Sequence, residues 1–274
     1  MPDRVTAFAI TFEACLVLAG IGATWRIALS SSAWMRRVPA ALGAWSVSPT
    51  DFLFFLWLPL CGGILAQFAA QSLGWLSRLP DEEKLVAVNA ALQLGFLAGV
   101  GLFLAAFPRR FALAPGGTAA PRVPLLASGF VTFLIALPVV FLAAFLWRLL
   151  LDALGLPLET QTAIELFTQT KSPGWRAGFG VIAVVLAPTT EELVFRAGFF
   201  RYLRTRLPRW AALLLPACVF AALHQSLASF AQLAVLGIVF SLAYERTGRI
   251  GTSIVAHALF NLNTIVLLLA GADV

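Results

Sequence analysis

Long apolar runs dominate the chain, each about the length of a bilayer crossing and each closed by a short polar or proline-bearing stretch. A hydrocarbon core of about 30 Å takes roughly 20 residues of helix at 1.5 Å per residue. By that measure residues 5–27, 51–76, 84–107, 125–150, 175–201, 210–225, 230–244 and 250–270 predict eight membrane-crossing helices, the seventh rather short. The first run is too long and continuous for the apolar part of a cleaved signal. The expected fold class is therefore all-α, a polytopic membrane helix bundle of about eight transmembrane helices. Its expected parts are residues 1–150 with helices one to four, 151–174 as an interfacial connection, and 175–274 with helices five to eight. These form one integrated membrane domain, without an internal repeat.

The interruptions refine this picture. Glu13 is the one polar blemish of the first run and is given no chemistry. The following loop holds Arg36 and Arg37, with Trp34 and Trp45 expected in the aromatic belt at the membrane interface. Pro80-Asp81-Glu82-Glu83 reads as a turn that starts a helix, and Pro115-Gly116-Gly117 marks the clearest linker. Pro138 falls inside the fourth run, where a membrane helix tolerates it. Residues 160–167 carry Ala163, Ile164, Leu166 and Phe167 on a rough stripe, as a short interfacial helix would. Arg201, Arg204, Arg206 and Arg209 form a basic turn suited to an anionic leaflet.

Composition then excludes a soluble protein: of 274 residues 60% are hydrophobic and 12% charged, and the mean hydropathy is +0.90. Cys15, Cys61 and Cys218 all lie in apolar runs without metal-ligand or disulfide-framework spacing. The net charge of +6 comes from basic residues at run ends, which serve topology rather than nucleic acid. Outside Arg196, 12 basic residues follow the odd-numbered runs and 6 lie on the other side. The positive-inside rule then puts both termini on the non-cytoplasmic face. With only Lys84 and Lys171 as lysines against many arginines, the chain reads as bacterial, in the inner membrane.

One stretch breaks the hydrocarbon pattern at a cost. Glu191, Glu192 and Arg196 lie within the fifth run, and insertion scales charge about 2.5 to 3.5 kcal/mol for each such group near a helix centre. Glu192 and Arg196, four apart, can neutralise each other; Glu191 points about 100° away around the helix. Pro188 removes a backbone N–H just upstream and is expected to loosen the helical ladder. The chain's two histidines lie in late runs as Phe220-x-x-x-His224 and His257-x-x-x-Asn261, each pair sharing a helix face. Counted from the basic loop ends near Arg201, Trp210 and Arg249 at 1.5 Å per residue, Glu191, His224 and His257 reach depths that agree to within about 10 Å. One cavity could gather all three.

The side-chain chemistry allows two routes to peptide hydrolysis. Glu191 can activate water as a general base with His224 helping to hold that water, while His257 and Asn261 donate hydrogen bonds to the oxyanion. Alternatively Glu191, His224 and His257 could ligate zinc, although the His-Glu-x-x-His helix of many zinc proteases is absent. A proton-coupled transporter would need charged groups strung along a path, whereas here they gather at one level.

Glu191-Glu192-x-x-x-Arg196, Phe220-x-x-x-His224 and His257-x-x-x-Asn261, in that order on late spans with a proline ahead of the acids, resemble the CPBP family. That family comprises CAAX prenyl endopeptidases and bacteriocin-processing or immunity-type membrane proteases, also called Abi. The resemblance covers about residues 175–270. It implies a helix bundle acting as a glutamate-dependent intramembrane endopeptidase, often labelled a metalloprotease. By position Glu191 is the catalytic base, His224 its partner, and His257 with Asn261 the oxyanion donors, supported by Glu192, Arg196 and Phe220. The family often has Gly directly after the motif Arg, where this chain has Ala197 and then Gly198. The implied partners are the lipid bilayer and a membrane-anchored protein or peptide, with no nucleic acid. The competing expectation is a non-catalytic immunity or partner protein that keeps the protease fold.

Overall fold

The computed structural model describes residues 4–29, 42–45, 47–107, 123–158 and 162–272. They form an all-α polytopic membrane architecture with no strand among them. Nine helices follow in order: α1 Arg4–Thr24, α2 Pro49–Gln71, α3 Asp81–Ala106, α4 Leu125–Ala153, α5 Thr162–Gln169, α6 Pro173–Leu203, α7 Arg209–Leu223, α8 Phe230–Thr247 and α9 Ile250–Leu269. Six of them, α1 to α4, α6 and α9, are long and apolar enough to cross a membrane. The other two expected crossings are also helices: α7 is a shorter apolar helix of 15 residues, and α8 has 18. Their large outward side chains, Phe8, Leu126 and Leu65 among them, are what a lipid-facing surface requires.

The chain resolves into two compact units. The first comprises residues 1–42, 117–161 and 213–274, with α4 packed against α1, α8 and α9. Its core is Phe133, Ala136, Leu137 and Val140 from α4, with Leu236 and Phe240 of α8 and Ala256 of α9. Small and hydroxyl side chains let the helices approach. A Cβ on Gly129 would strike Val255, and the Ser128 and Thr252 hydroxyls lie 2.9 Å apart. Ser253 Oγ donates to Phe240 O at 3.0 Å. Pro138 sits inside α4 without ending it.

The second unit comprises residues 43–116 and 162–212. Helices α2 and α3 pack through glycine: a Cβ on Gly62 would meet the Gly95 carbonyl, and one on Gly99 the Leu58 carbonyl. Such small-residue contacts suit lipid, where water cannot drive helices together and close backbone packing must. Helix α3 starts at the expected acidic turn, with Asp81, Glu82 and Glu83 in its first turn, where the helix dipole favours anions. Helix α5 buries Leu166 and Phe167, and the Phe167 ring packs on Phe179 with centroids 5.6 Å apart. Arg176 secures the turn between them by donating through Nε and Nη2 to Thr170 O at 3.0 and 2.7 Å.

Two expectations for the polar segments are corrected here. Trp45 is no belt residue: it is 1% exposed, its indole edge-on to Phe52, Phe55 and Tyr202 and capped by the Arg201 guanidinium 5.7 Å from the ring centroid. Nor is the arginine turn wholly a membrane-surface patch. Arg201 is 1% exposed, and Arg206 lies 3.7 Å over the Tyr202 ring while donating to the carbonyls of Trp45, Val47 and Tyr202. Half of that basic cluster holds the Trp45 segment in place. Arg36, Arg37, Trp34, Arg109, Arg110, Arg122 and Pro115-Gly116-Gly117 lie outside the described residues.

Candidate active site

The acid motif lies on α6, in the second unit. Pro188 has no N–H to give, so regular i to i−4 bonding cannot run through it. The helix stays continuous by widening: residues Ile182–Leu186 and Glu192–Phe200 form π-helical turns on either side of the α-helical Ala187–Glu191. The loosening expected at Pro188 takes this form rather than a break, and π turns inside α-helices recur at functional sites. Two hydroxyls serve the carbonyls of the widened turn, Thr189 Oγ1 donating to Val185 O at 2.6 Å and Thr190 Oγ1 to Leu186 O at 2.8 Å. Neither threonine stands out by hydrophobic pattern, but a hydroxyl four residues past a carbonyl next to proline is a readable signal.

Glu192 and Arg196 form the expected pair. Arg196 Nη1 donates to Glu192 Oε1 at 2.9 Å with the two side chains 0% and 1% exposed. Glu191, one residue earlier, is half-buried and departs from the helix in another direction. The two acids thus differ in exposure, Glu192 fully buried against Arg196 and Glu191 half-buried, although the Glu191 charge also acts on Arg196. Directly after the motif, Ala197 is buried and Gly198 takes the edge of the Phe55 ring, which would collide with any Cβ there. Gly198 is where a side chain is forbidden, and that contact explains the glycine.

The histidine motifs lie in the first unit. Helix α7 ends at Leu223, so His224 sits at its C-terminal end and not deep within a longer span. His224 Nδ1 is 2.8 Å from Phe220 O. A carbonyl can only accept, so Nδ1 carries the hydrogen, and in the neutral imidazole Nε2 presents its lone pair. The Phe220 ring also packs on the imidazole, centroids 4.7 Å apart. The chain then turns sharply through Gln225, whose φ of 53° is the one positive value on a non-glycine residue among those described. Ser226 and Ser229 bond each other in the turn, and Trp147 Nε1 donates to Leu227 O at 2.7 Å from α4. No local pattern signals that tie, because Trp147 and Leu227 are 80 residues apart.

His257, on α9, is 3% exposed. Its ring lies 5.3 Å from Phe240 and 6.1 Å from Phe220, so the two histidine motifs share Phe220 as a wall. Asn261 is half-buried one helical turn further along the same face. Phe220, His224, His257 and Phe240 therefore form one aromatic and imidazole cluster within this unit. Zinc would need three protein donors. The cluster offers two imidazoles, and among the described residues of the unit no third His, Cys, Asp or Glu joins them.

Residues 173–263 match the family model described as Type II CAAX prenyl endopeptidase Rce1-like. The matched stretch runs from the start of α6 into α9 and includes Glu191, Glu192, Arg196, Phe220, His224, His257 and Asn261. The chain is also 28% identical over 126 residues to the UPF0177 protein YbdI of Lactococcus lactis subsp. lactis (strain IL1403), a match covering 46% of this chain and 66% of the relative. That is just under two thirds of the relative's length. No solved structure matches. Both matches agree with the CPBP resemblance of the motifs.

Proposed function

We propose that this integral membrane protein, CAAX-protease-like over residues 173–263, is an intramembrane endopeptidase that hydrolyses a peptide bond in a membrane-anchored protein or peptide. One observation carries the reading: all three motifs, acid, Phe-His and His-Asn, fall in order inside the matched stretch. Local geometry supports a division of labour. Glu192 is committed to Arg196 in a buried pair, which gives the general-base role to Glu191. Glu191 takes a proton from the hydrolytic water, and the oxygen attacks the scissile carbonyl without a covalent enzyme intermediate. His224, with its hydrogen on Nδ1, accepts a hydrogen bond from that water at Nε2. His257 and Asn261 donate to the oxyanion of the tetrahedral intermediate, an interaction typically worth 10²- to 10³-fold in kcat per donor. Protonated Glu191 then returns the proton to the leaving amine.

The substrate fits the location: a bond near or within the bilayer, on a chain already confined to the membrane. The arginine-rich, lysine-poor composition suits a bacterial inner membrane with both termini non-cytoplasmic, where anchored peptides other than prenylated proteins are the available class. The test is cleavage of a membrane-tethered peptide by the purified chain in lipid. Glu191→Gln and His257→Ala should each abolish turnover while the protein still inserts. A cellular phenotype that survives Glu191→Gln would instead favour the non-catalytic immunity-type reading, and turnover that survives it would remove Glu191 as the base.

A further inference from the structure

Helix α9 has two working faces. His257 and Asn261 occupy one; Asn263 and Ala270 lie about 220° to 240° round the helix from His257, on the other. That rear face is seated on α1. Thr6 Oγ1 donates to Ala270 O at 2.6 Å. Glu13 is seven residues after Thr6 and Asn263 seven before Ala270, so the same antiparallel register that joins Thr6 to Ala270 sets Glu13 opposite Asn263. The two side chains line one cavity of about 240 Å³, otherwise walled by apolar residues such as Phe8, Phe12 and Val266. Glu13 is 9% exposed, and both of its carboxyl oxygens are buried without a hydrogen bond closed on them. Asn263 is the polar side chain within reach, across the shared cavity. An open groove of about 390 Å³ flanks Glu13 on the Phe141 side. Leu16 and Val17 seat α1 on the α4 core, and Glu13 with Asn263 supplies the polar pairing toward α9.

We infer that Glu13 and Asn263 form an interhelical rung by which α1 braces α9 from behind and holds the rotation at which His257 and Asn261 are presented. The inference rests on the endopeptidase reading for its effect on rate, and on geometry alone for the brace. Glu13 is thus a positioning residue, acting through α9. Side-chain tips lie about 5 to 6 Å from a helix axis, so a roll of α9 by about 10° moves the imidazole by roughly 1 Å. Misplacement by that much can cost about 10²-fold in rate.

The full-length chain in lipid nanodiscs, with a membrane-tethered peptide, provides the test. Glu13→Leu and Asn263→Leu should each lower kcat about 10- to 100-fold with KM within twofold, and the double variant should be no worse than either. Glu13→Gln, which keeps a group able to pair with Asn263, should stay within about threefold of the native rate. Independently of activity, Thr6→Cys with Ala270→Cys, in a chain with Cys15, Cys61 and Cys218 replaced by serine, should oxidise to a disulfide. Glu13→Leu should cut that yield, and the cross-link once formed should restore kcat. Where Glu13→Leu fails to accumulate, Asn263→Leu gives the same readouts. Equal impairment by Glu13→Gln and Glu13→Leu, a loss confined to KM, or undiminished cross-linking in the leucine variants overturns the brace. Absence of cleavage by the native chain overturns the endopeptidase reading instead and leaves the cross-linking result to stand by itself.

Discussion

Removing one member of the Glu192–Arg196 pair should unfold the protein far more readily than removing both. The pair is 2.9 Å apart and its side chains are 0% and 1% exposed, so neither charge can be hydrated when its partner is lost. With charge centres about 4 Å apart and an effective dielectric near 20, their attraction is about 4 kcal/mol. Breaking such a buried pair from one side costs about 3 to 5 kcal/mol, whereas replacing both members by apolar side chains of similar size is often neutral or stabilising. Glu192→Gln and Arg196→Met should therefore each lose about 3 kcal/mol or more. Glu192→Met with Arg196→Met should recover most of it, giving a coupling of comparable size in the double-mutant cycle. Reversible unfolding in mixed micelles, titrated with a denaturing detergent and followed by the eight tryptophans, measures all four proteins. Glu191→Gln belongs in the same series and should change stability by less than 1 kcal/mol while abolishing cleavage. Single variants that lose less than 1 kcal/mol, or a double variant worse than both singles, would refute the reasoning, because the pair would then not be the buried unit described.

Gly198→Ala should lose about 1 to 3 kcal/mol by overpacking, since the Phe55 ring it meets is itself fixed between Trp45 and Phe103; Phe55→Leu in the same chain should relieve it, as read by detergent unfolding. Gly99→Leu should drive α2 and α3 apart at Leu58 and lower the thermal midpoint of the folded peak in size-exclusion chromatography, while Gly101→Leu, which meets nothing within 4 Å, should leave it unchanged. Nitrogen-15 NMR of imidazole-labelled protein should report His224 as the tautomer with its hydrogen on Nδ1; the tautomer with its hydrogen on Nε2 alone would contradict the bond to Phe220 O and remove His224 as an acceptor toward water.

Where the pattern was local, the sequence disclosed it. The apolar runs became helices because lipid leaves a chain no other way to satisfy its backbone. Glu192 found Arg196 because residues four apart on a helix are neighbours, and Phe220 met His224 for the same reason. Pro188 loosened its helix because it lacks a donor, though only coordinates show that the slack appears as wide turns. What escaped was long-range. Trp45 looked like an interfacial anchor until Phe52, Phe55 and Tyr202 closed round it, and Arg206 looked like a lipid contact until its carbonyl acceptors at Trp45 and Val47 came into view. No periodicity reports the partner of a residue 150 positions away.

The same distinction explains why Glu13 was passed over while Glu191 was not. Both are acids in apolar helices, and each carries a similar insertion cost of about 2.5 to 3.5 kcal/mol. Glu191 announces itself through its neighbours, a proline, a second acid and an arginine within one turn or two. Glu13 has no polar neighbour in its own helix that could offset that cost, and its counterpart Asn263 enters from the far end of the chain. An acid whose compensation lies on another helix contributes to holding those helices in register, because leaving the register exposes the uncompensated group. The proposed chemistry is signalled within single helices, whereas the proposed brace is signalled only by the pairing of α1 with α9.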